Sequence, residues 1–235
     1  MSTALGGWGE FAAAGAAFFL THALPPRPAL RKRAVALLGE RGFTVVYSLL
    51  SLVVLAWLIA AAGRAPYVGI WPFAPWQLWV PTLVMPVAGL ILVFGIATPN
   101  PLSFGGANNA AFDPDRPGIL GVARHPVPVA LGLWAGAHLV PNGDVAHVLL
   151  FGSFASFALF GMTMIDRRKR RLMGDAAWRR LAARTSFWPF AALATGRWRP
   201  RAGEFPLSRV IIAAVLLAAL VLLHEPVIGV RPLPY

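Results

Sequence analysis

Apolar residues fall in long blocks along this chain, separated by segments rich in proline, glycine and arginine. The blocks cover residues 5–24, 43–62, about 78–97, a stretch from Pro126 and Pro128 to Val140, 145–165 and 208–224. About twenty apolar residues in a helix cross a hydrocarbon core about 30 Å thick, so the pattern predicts about six transmembrane helices. Pro81 and Pro86 interrupt the third block, which predicts a kinked helix whose freed carbonyls are covered by neighbours. The turn Pro141-Asn142-Gly143-Asp144 closes the fourth and fifth blocks into a tight hairpin. Two stretches have one apolar and one basic face. In 29–41, Leu30, Ala34, Leu37 and Leu38 oppose Arg31, Lys32, Arg33 and Arg41, and a second basic amphipathic stretch follows Asp166 and stops at Trp188-Pro189. Both are predicted to lie in the interface. Tyr67, Trp71, Trp76 and Trp79 form an aromatic belt, and residues 98–121 are a long irregular segment of the kind that carries function. The predicted fold is all-α, a polytopic transmembrane helical bundle with amphipathic interfacial helices. Residues 1–235 form a single integral membrane domain without a soluble part or tandem repeat.

Composition places the chain in the membrane independently of the pattern. It is 57% hydrophobic and 13% charged, with a mean hydropathy of +0.65. The net charge of +12 sits on residues flanking the apolar blocks, so the expected partner is the lipid bilayer with its anionic head groups, and no nucleic acid. When six spans alternate, all of the 21 Lys and Arg except Arg64 and Arg231 fall on one side. The positive-inside rule then places the basic loops in the cytoplasm and both termini in the periplasm of a bacterial inner membrane. Glu10 precedes any Lys or Arg, so the first block is read as a retained span instead of a cleaved leader. Cysteine is absent, which excludes disulfides, zinc–thiolate sites, iron–sulfur clusters and thiol nucleophiles.

Chemistry therefore has to come from histidine, arginine and carboxylates. Arg124 and His125 flank the start of the fourth span, where a cation and free backbone N–H groups can receive a carboxylate or phosphate; a helix cap beside lipid phosphate is the alternative. Asp166, which closes the fifth span on the same side, is a partner for either. His125 and His138 are 13 positions apart, about 20 Å along a helix, too far to share one small metal centre. His22 and His138 lie in apolar walls of separate helices, and an imidazole inside a membrane requires a partner. Either each hydrogen-bonds between helices, or the two ligate a haem iron, which neutral imidazoles suit where no thiolate exists. His147 and His224 are read as interfacial. No Ser/His/Asp grouping, phosphate-binding glycine loop or carboxylate pair stands out, so hydrolysis and nucleotide chemistry lack a motif.

Several ordered motifs carry a family resemblance. They are THALPP at 21–26, LGERGFTVVYSLLSLVVLAW at 38–57, GVARHPVPVALGLWAGAHLVPNGD at 121–144, FGMTMIDRRKRR at 160–171 and RTSFWPF at 184–190. Together they resemble the NnrU family of bacterial membrane proteins over roughly 18–190, leaving the last span at about 208–224 as an addition. The resemblance implies a link to denitrification, in which such proteins support nitrite and nitric oxide reductase function. The same family includes 15-cis-zeta-carotene isomerase, a membrane enzyme that uses haem b to isomerise a polyene. It implies haem b as cofactor, His22 and His138 as iron ligands, and nitric oxide or a polyene as the ligand met by the haem. If the chain is an enzyme, the resemblance implies a haem-dependent cis-trans isomerase. Phe157 and Ala158 stand where the isomerase has a His pair, a departure that bears on isomerisation more than on haem. More distantly, Arg124, His125, Pro126, Leu172, Gly174, Trp178, Arg184 and Pro189 resemble isoprenylcysteine-type membrane methyltransferases. The acidic pair of that pattern is replaced by basic residues, which implies a degenerate S-adenosylmethionine-dependent protein with its cofactor at Arg124 and His125.

Overall fold

The computed structural model describes residues 2–23 and 28–234, with side chains described for 6–22 and 29–234. The Leu24, Pro25 and Pro26 of the THALPP motif lie outside the described residues. Among these the protein is all-helical and has no strand, only an isolated bridge between Gly69 and Asp144. The helices are α1 (Ser2–Ala23), α2 (Pro28–Arg64), α3 (Trp79–Gly95), α4 (Ile119–Val122), α5 (Pro126–Leu139), α6 (Val145–Met173), α7 (Asp175–Ala182), α8 (Ala191–Ala194) and α9 (Leu207–Ile228). Among the described residues four stretches are long and apolar enough to cross a membrane: α2, α3 with the short 3-10 turn before it, α6 and α9. The other two expected spans are helices as well. However, α5 has 14 residues, about 21 Å of rise, and α1 carries Glu10, His22 and several glycines that lower its apolarity.

The chain divides into two compact units, Met1–Pro72 with Gly143–Leu150, and Phe73–Asn142 with Phe151–Tyr235. In the first, α2 joins the predicted interfacial helix and second span, and Gly39 (φ 70, ψ 167) breaks it between the two. That backbone conformation favours glycine, and it lets the basic stretch leave the direction of the span. The α1 and α2 helices run antiparallel. Gly7 approaches the backbone of Arg64, and the Arg64 guanidinium and Trp57 indole both donate to the Glu10 carboxylate. Ala14 and Phe18 of α1 are buried, as are Val54, Leu58, Ala61 and Ala62 of α2 at helical spacing. The aromatic segment after α2 is pinned by backbone bonds, from Ile70 and Trp71 N–H to the Gly143 carbonyl and from Val145 N–H to Val68 O. Asp144 then caps α6 by accepting the His147 N–H and the His147 ring.

In the second unit α3 packs against both α5 and α9. A Cβ on Gly95 would stand 2.5 Å from Pro126, so glycine sets how closely α3 approaches the start of α5. One core cluster gathers Ile91, Ala123, Val129, Ala130 and Met162; a second gathers Phe94, Leu102, Ile119, Leu120 and Ala182 beneath the loops. The α5 and α6 helices form an antiparallel pair, with Trp134 against Phe151 and Phe154 and Gly132 against Ala158. Gly174 (φ 82) ends α6 and starts α7, whose Trp178 faces the second cluster. Ala213 is the buried residue of α9, which leaves its apolar surface to lipid.

Candidate functional site

The long segment before α5 and the ends of α6 and α7 enclose a buried polar cluster within the second unit. Its centre is the Arg-His-Pro start of α5. Pro126 and Pro128 have no N–H to donate, so they begin the helix at no hydrogen-bond loss, and His125 serves as N-cap (φ −114, ψ 67). Arg124 is 7% exposed and His125 fully buried. The guanidinium donates from Nη1 to Asp166 Oδ2 at 2.5 Å and from Nε to Thr185 Oγ1 at 2.7 Å, and it lies 4.8 Å over the Trp178 ring. Burial pulls the Arg124 guanidinium below its ordinary pKa, and the Asp166 charge pulls it back up. His125 is held on both sides, by Asp166 Oδ1 at 3.1 Å from Nε2 and Ser103 Oγ at 3.0 Å from Nδ1. An ionised carboxylate only accepts, so Nε2 donates to Asp166, and the Ser103 hydroxyl, which can donate or accept, partners Nδ1.

The loop is ordered by Asn100. Its Oδ1 accepts the N–H groups of Leu102 and Ser103, each at 3.0 Å, and its Nδ2 donates to the Arg124 carbonyl at 3.1 Å. The backbone of Arg124 in turn donates to Ser186 O, and Ser186 Oγ donates to Gly121 O while accepting the Ala192 N–H. A loop, two helix starts and the end of α6 are thus tied to one arginine–carboxylate pair.

Ser103, His125 and Asp166 follow the order of a nucleophilic triad, and sequence spacing gave no hint of it. Ser103 is 4% exposed and His125 fully buried, so the hydroxyl does not face a substrate, and the cluster is suited to locking helix ends together. Asn100, Ser103 and Thr185 were not singled out from the sequence. The signal for the first two was the Asn-Pro-Leu-Ser run at 100–103, whose asparagine is placed to bond the backbone two and three residues on. The carboxylate received by Arg124 and His125 is the chain's own Asp166.

His22 and His138 lie in different units. The His22 ring donates from Nδ1 to Phe18 O at 2.7 Å and stacks on Phe18 at 4.1 Å. The His138 ring donates from Nδ1 to Trp134 O at 2.8 Å, with Trp134 and Phe151 at 5.6 and 5.5 Å. His224 of α9 lies 6.4 Å from His138 between ring centres. Separately, a cavity of about 390 Å³ opens where α9 meets the loops, lined among others by Phe112, Arg116, Glu204 and Arg209.

The model of the NnrU protein family matches residues 10–232, which is nearly the whole chain. The chain belongs to the NnrU family. It is a multi-pass membrane protein of that family. The match takes in α9 and His224 as well, beyond the 18–190 region that carries the quoted motifs. No curated protein and no solved structure matches this NnrU chain.

Proposed function

We propose that this NnrU protein binds haem b in the bacterial inner membrane and serves nitrite and nitric oxide reduction as an accessory or sensory component. His138 is an imidazole ligand of that haem; His22, which the resemblance also implies, lies in the other unit. The observation that supports this is the state of the rings. Each donates Nδ1–H to the carbonyl four residues earlier on its own helix, Trp134 O for His138 and Phe18 O for His22. A neutral imidazole held in this way keeps its lone pair on Nε2, and the Nδ1 bond orients the ring and raises its basicity as a ligand. His125 has both nitrogens engaged, so it positions α5 and does not ligate.

The donor chemistry fits the cofactor. A haem iron needs axial groups only, and this chain offers imidazoles and no thiolate. When bound, haem supplies a redox-active iron that takes nitric oxide. The protein's part is to hold the His138 ring against Trp134 and Phe151, in apolar surroundings, and to fix the α5 helix that carries it through the Arg124–Asp166 cluster at its other end.

The test is the reduced-minus-oxidised absorption spectrum of the protein purified in detergent from haem-replete cells, followed by nitric oxide. Low-spin bands that shift with nitric oxide, are lost in His138→Ala and persist in His125→Asn are the expected result. A colourless wild-type protein overturns the proposal.

A further inference from the structure

His224 was read from the sequence as an interfacial residue, yet the fold brings it to His138. The two rings have centres 6.4 Å apart and planes inclined by 24°. The α9 helix begins with Arg209 donating to the carbonyls at the end of α3, and α5 begins beside Asn100 just beyond that same end. Both helices therefore leave the same side of the unit, and His138 and His224 meet near their far ends.

The ends of the helices prepare the two rings alike. Gly229 (φ 83) turns the chain back after α9 and donates to Glu225 O, which brings the Val230 carbonyl to His224 Nδ1 at 2.7 Å. Since a carbonyl only accepts, His224 Nδ1 carries the proton and Nε2 keeps the lone pair, as in His138. Two neutral imidazoles bound on opposite sides of one metal, at metal–nitrogen distances of about 2 Å, have ring centres about 6 Å apart. Among the described residues there is no group of three or more His, Asp or Glu able to hold a metal ion. A two-imidazole pair is the donor set for an iron whose other four positions a macrocycle fills.

We infer that His138 and His224 form a bis-imidazole metal site, and that His224 is the ligand opposite His138. This rests on the haem proposal for the identity of the metal, while the pairing of the two rings does not depend on it.

The experiment compares full-length wild type, His224→Gly and His22→Ala purified from haem-replete cells. The expected result is a low-spin spectrum in wild type and His22→Ala, and a high-spin spectrum with haem retained in His224→Gly. Added imidazole restores the low-spin bands of His224→Gly, which a purely structural role for His224 would not do. Low-spin His224→Gly, or a high-spin change in His22→Ala alone, overturns the pairing and leaves the haem proposal standing. If wild type carries no haem, that proposal fails and the same proteins are titrated with Cu²⁺ and followed by electron paramagnetic resonance. One nitrogen-coordinated Cu²⁺ per chain, lost in both His138→Ala and His224→Gly, sustains the pair; no loss overturns it.

Discussion

Arg124 and Asp166, 42 positions apart in the chain, meet at 2.5 Å with side chains only 8% and 14% exposed. An ion pair taken out of water is retained only if both partners stay, because either one alone is a buried charge without compensation. Asp166→Asn is therefore expected to destabilise the protein by about 3–5 kcal/mol, since it also weakens the acceptor for His125. The double change Arg124→Met with Asp166→Leu is expected to recover most of that loss. Thermal unfolding in detergent measures both, and an Asp166→Asn protein that melts with wild type would show the pair to be idle.

Gly121 is a glycine for reasons of space. A Cβ there would stand 2.2 Å from the ring of Trp198, which is 3% exposed. Neither the helix nor the ring can yield, so Gly121→Ala is expected to cost about 1–3 kcal/mol or more by overpacking. Adding Trp198→Leu to that variant is expected to restore stability relative to the single change. If the melting temperature of Gly121→Ala is unchanged, the close approach is not maintained in the protein.

The apolar blocks of the sequence are helices in the structure, because burial in lipid leaves the backbone no other way to satisfy its hydrogen bonds. The start of α5 at Pro126 was visible in the same way, since proline has a distinct backbone preference, whereas the breaks at Gly39 and Gly174 fall inside the stretches 29–41 and after Asp166 that the periodicity reads as continuous amphipathic helices. Asp166 stood out as a partner for Arg124 by charge and by side of the membrane. Ser103 and Thr185 did not, since a hydroxyl in a loop carries no periodicity, and their meeting with His125 and Arg124 depends on tertiary folding alone. The approach of His224 to His138 was hidden for the same reason: it follows from the packing of α3 against both α5 and α9.

Arg209 joins α9 to α3. Its Nη1 donates to Val93 O at 2.8 Å, Phe94 O at 2.9 Å, Ile96 O at 3.1 Å and Thr98 Oγ1 at 2.7 Å. The three carbonyls lie at the end of α3, where a cation also meets the negative end of the helix dipole, and Thr98 Oγ1 itself donates to Phe94 O. Arg209→Ala is expected to cost about 1.5–3 kcal/mol, the range for hydrogen bonds to a charged group. Arg209→Lys should recover only part, because an ammonium lacks the planar reach of guanidinium. Faster proteolysis at the 197–206 loop in Arg209→Ala, with wild-type rates elsewhere, is the accompanying signature. Equal cleavage in both proteins would mean that α9 is held by its apolar contacts alone.

Asp175 supplies the pH dependence that can be read from outside the spans. It opens α7, and the Arg170 guanidinium that donates to it holds its carboxyl below the usual carboxylate range, with Arg179 adding to the effect. A carboxylate whose folded pKa is depressed contributes stability above its unfolded pKa of about 3.9 and loses it as pH falls through the lower folded value. Wild type is therefore expected to lose stability in that acid window relative to Asp175→Asn, whose own curve is lower near neutrality and flatter below pH about 4. Because the group is exposed, the difference is small and salt should erase it, as the Debye length shrinks from about 10 Å at 0.1 M to about 3 Å at 1 M. Unfolding midpoints of the two proteins across pH, at low and high salt, make the comparison. Parallel curves at low salt would remove Asp175 from the account and leave α7 held by Trp178 and the apolar cluster beneath it.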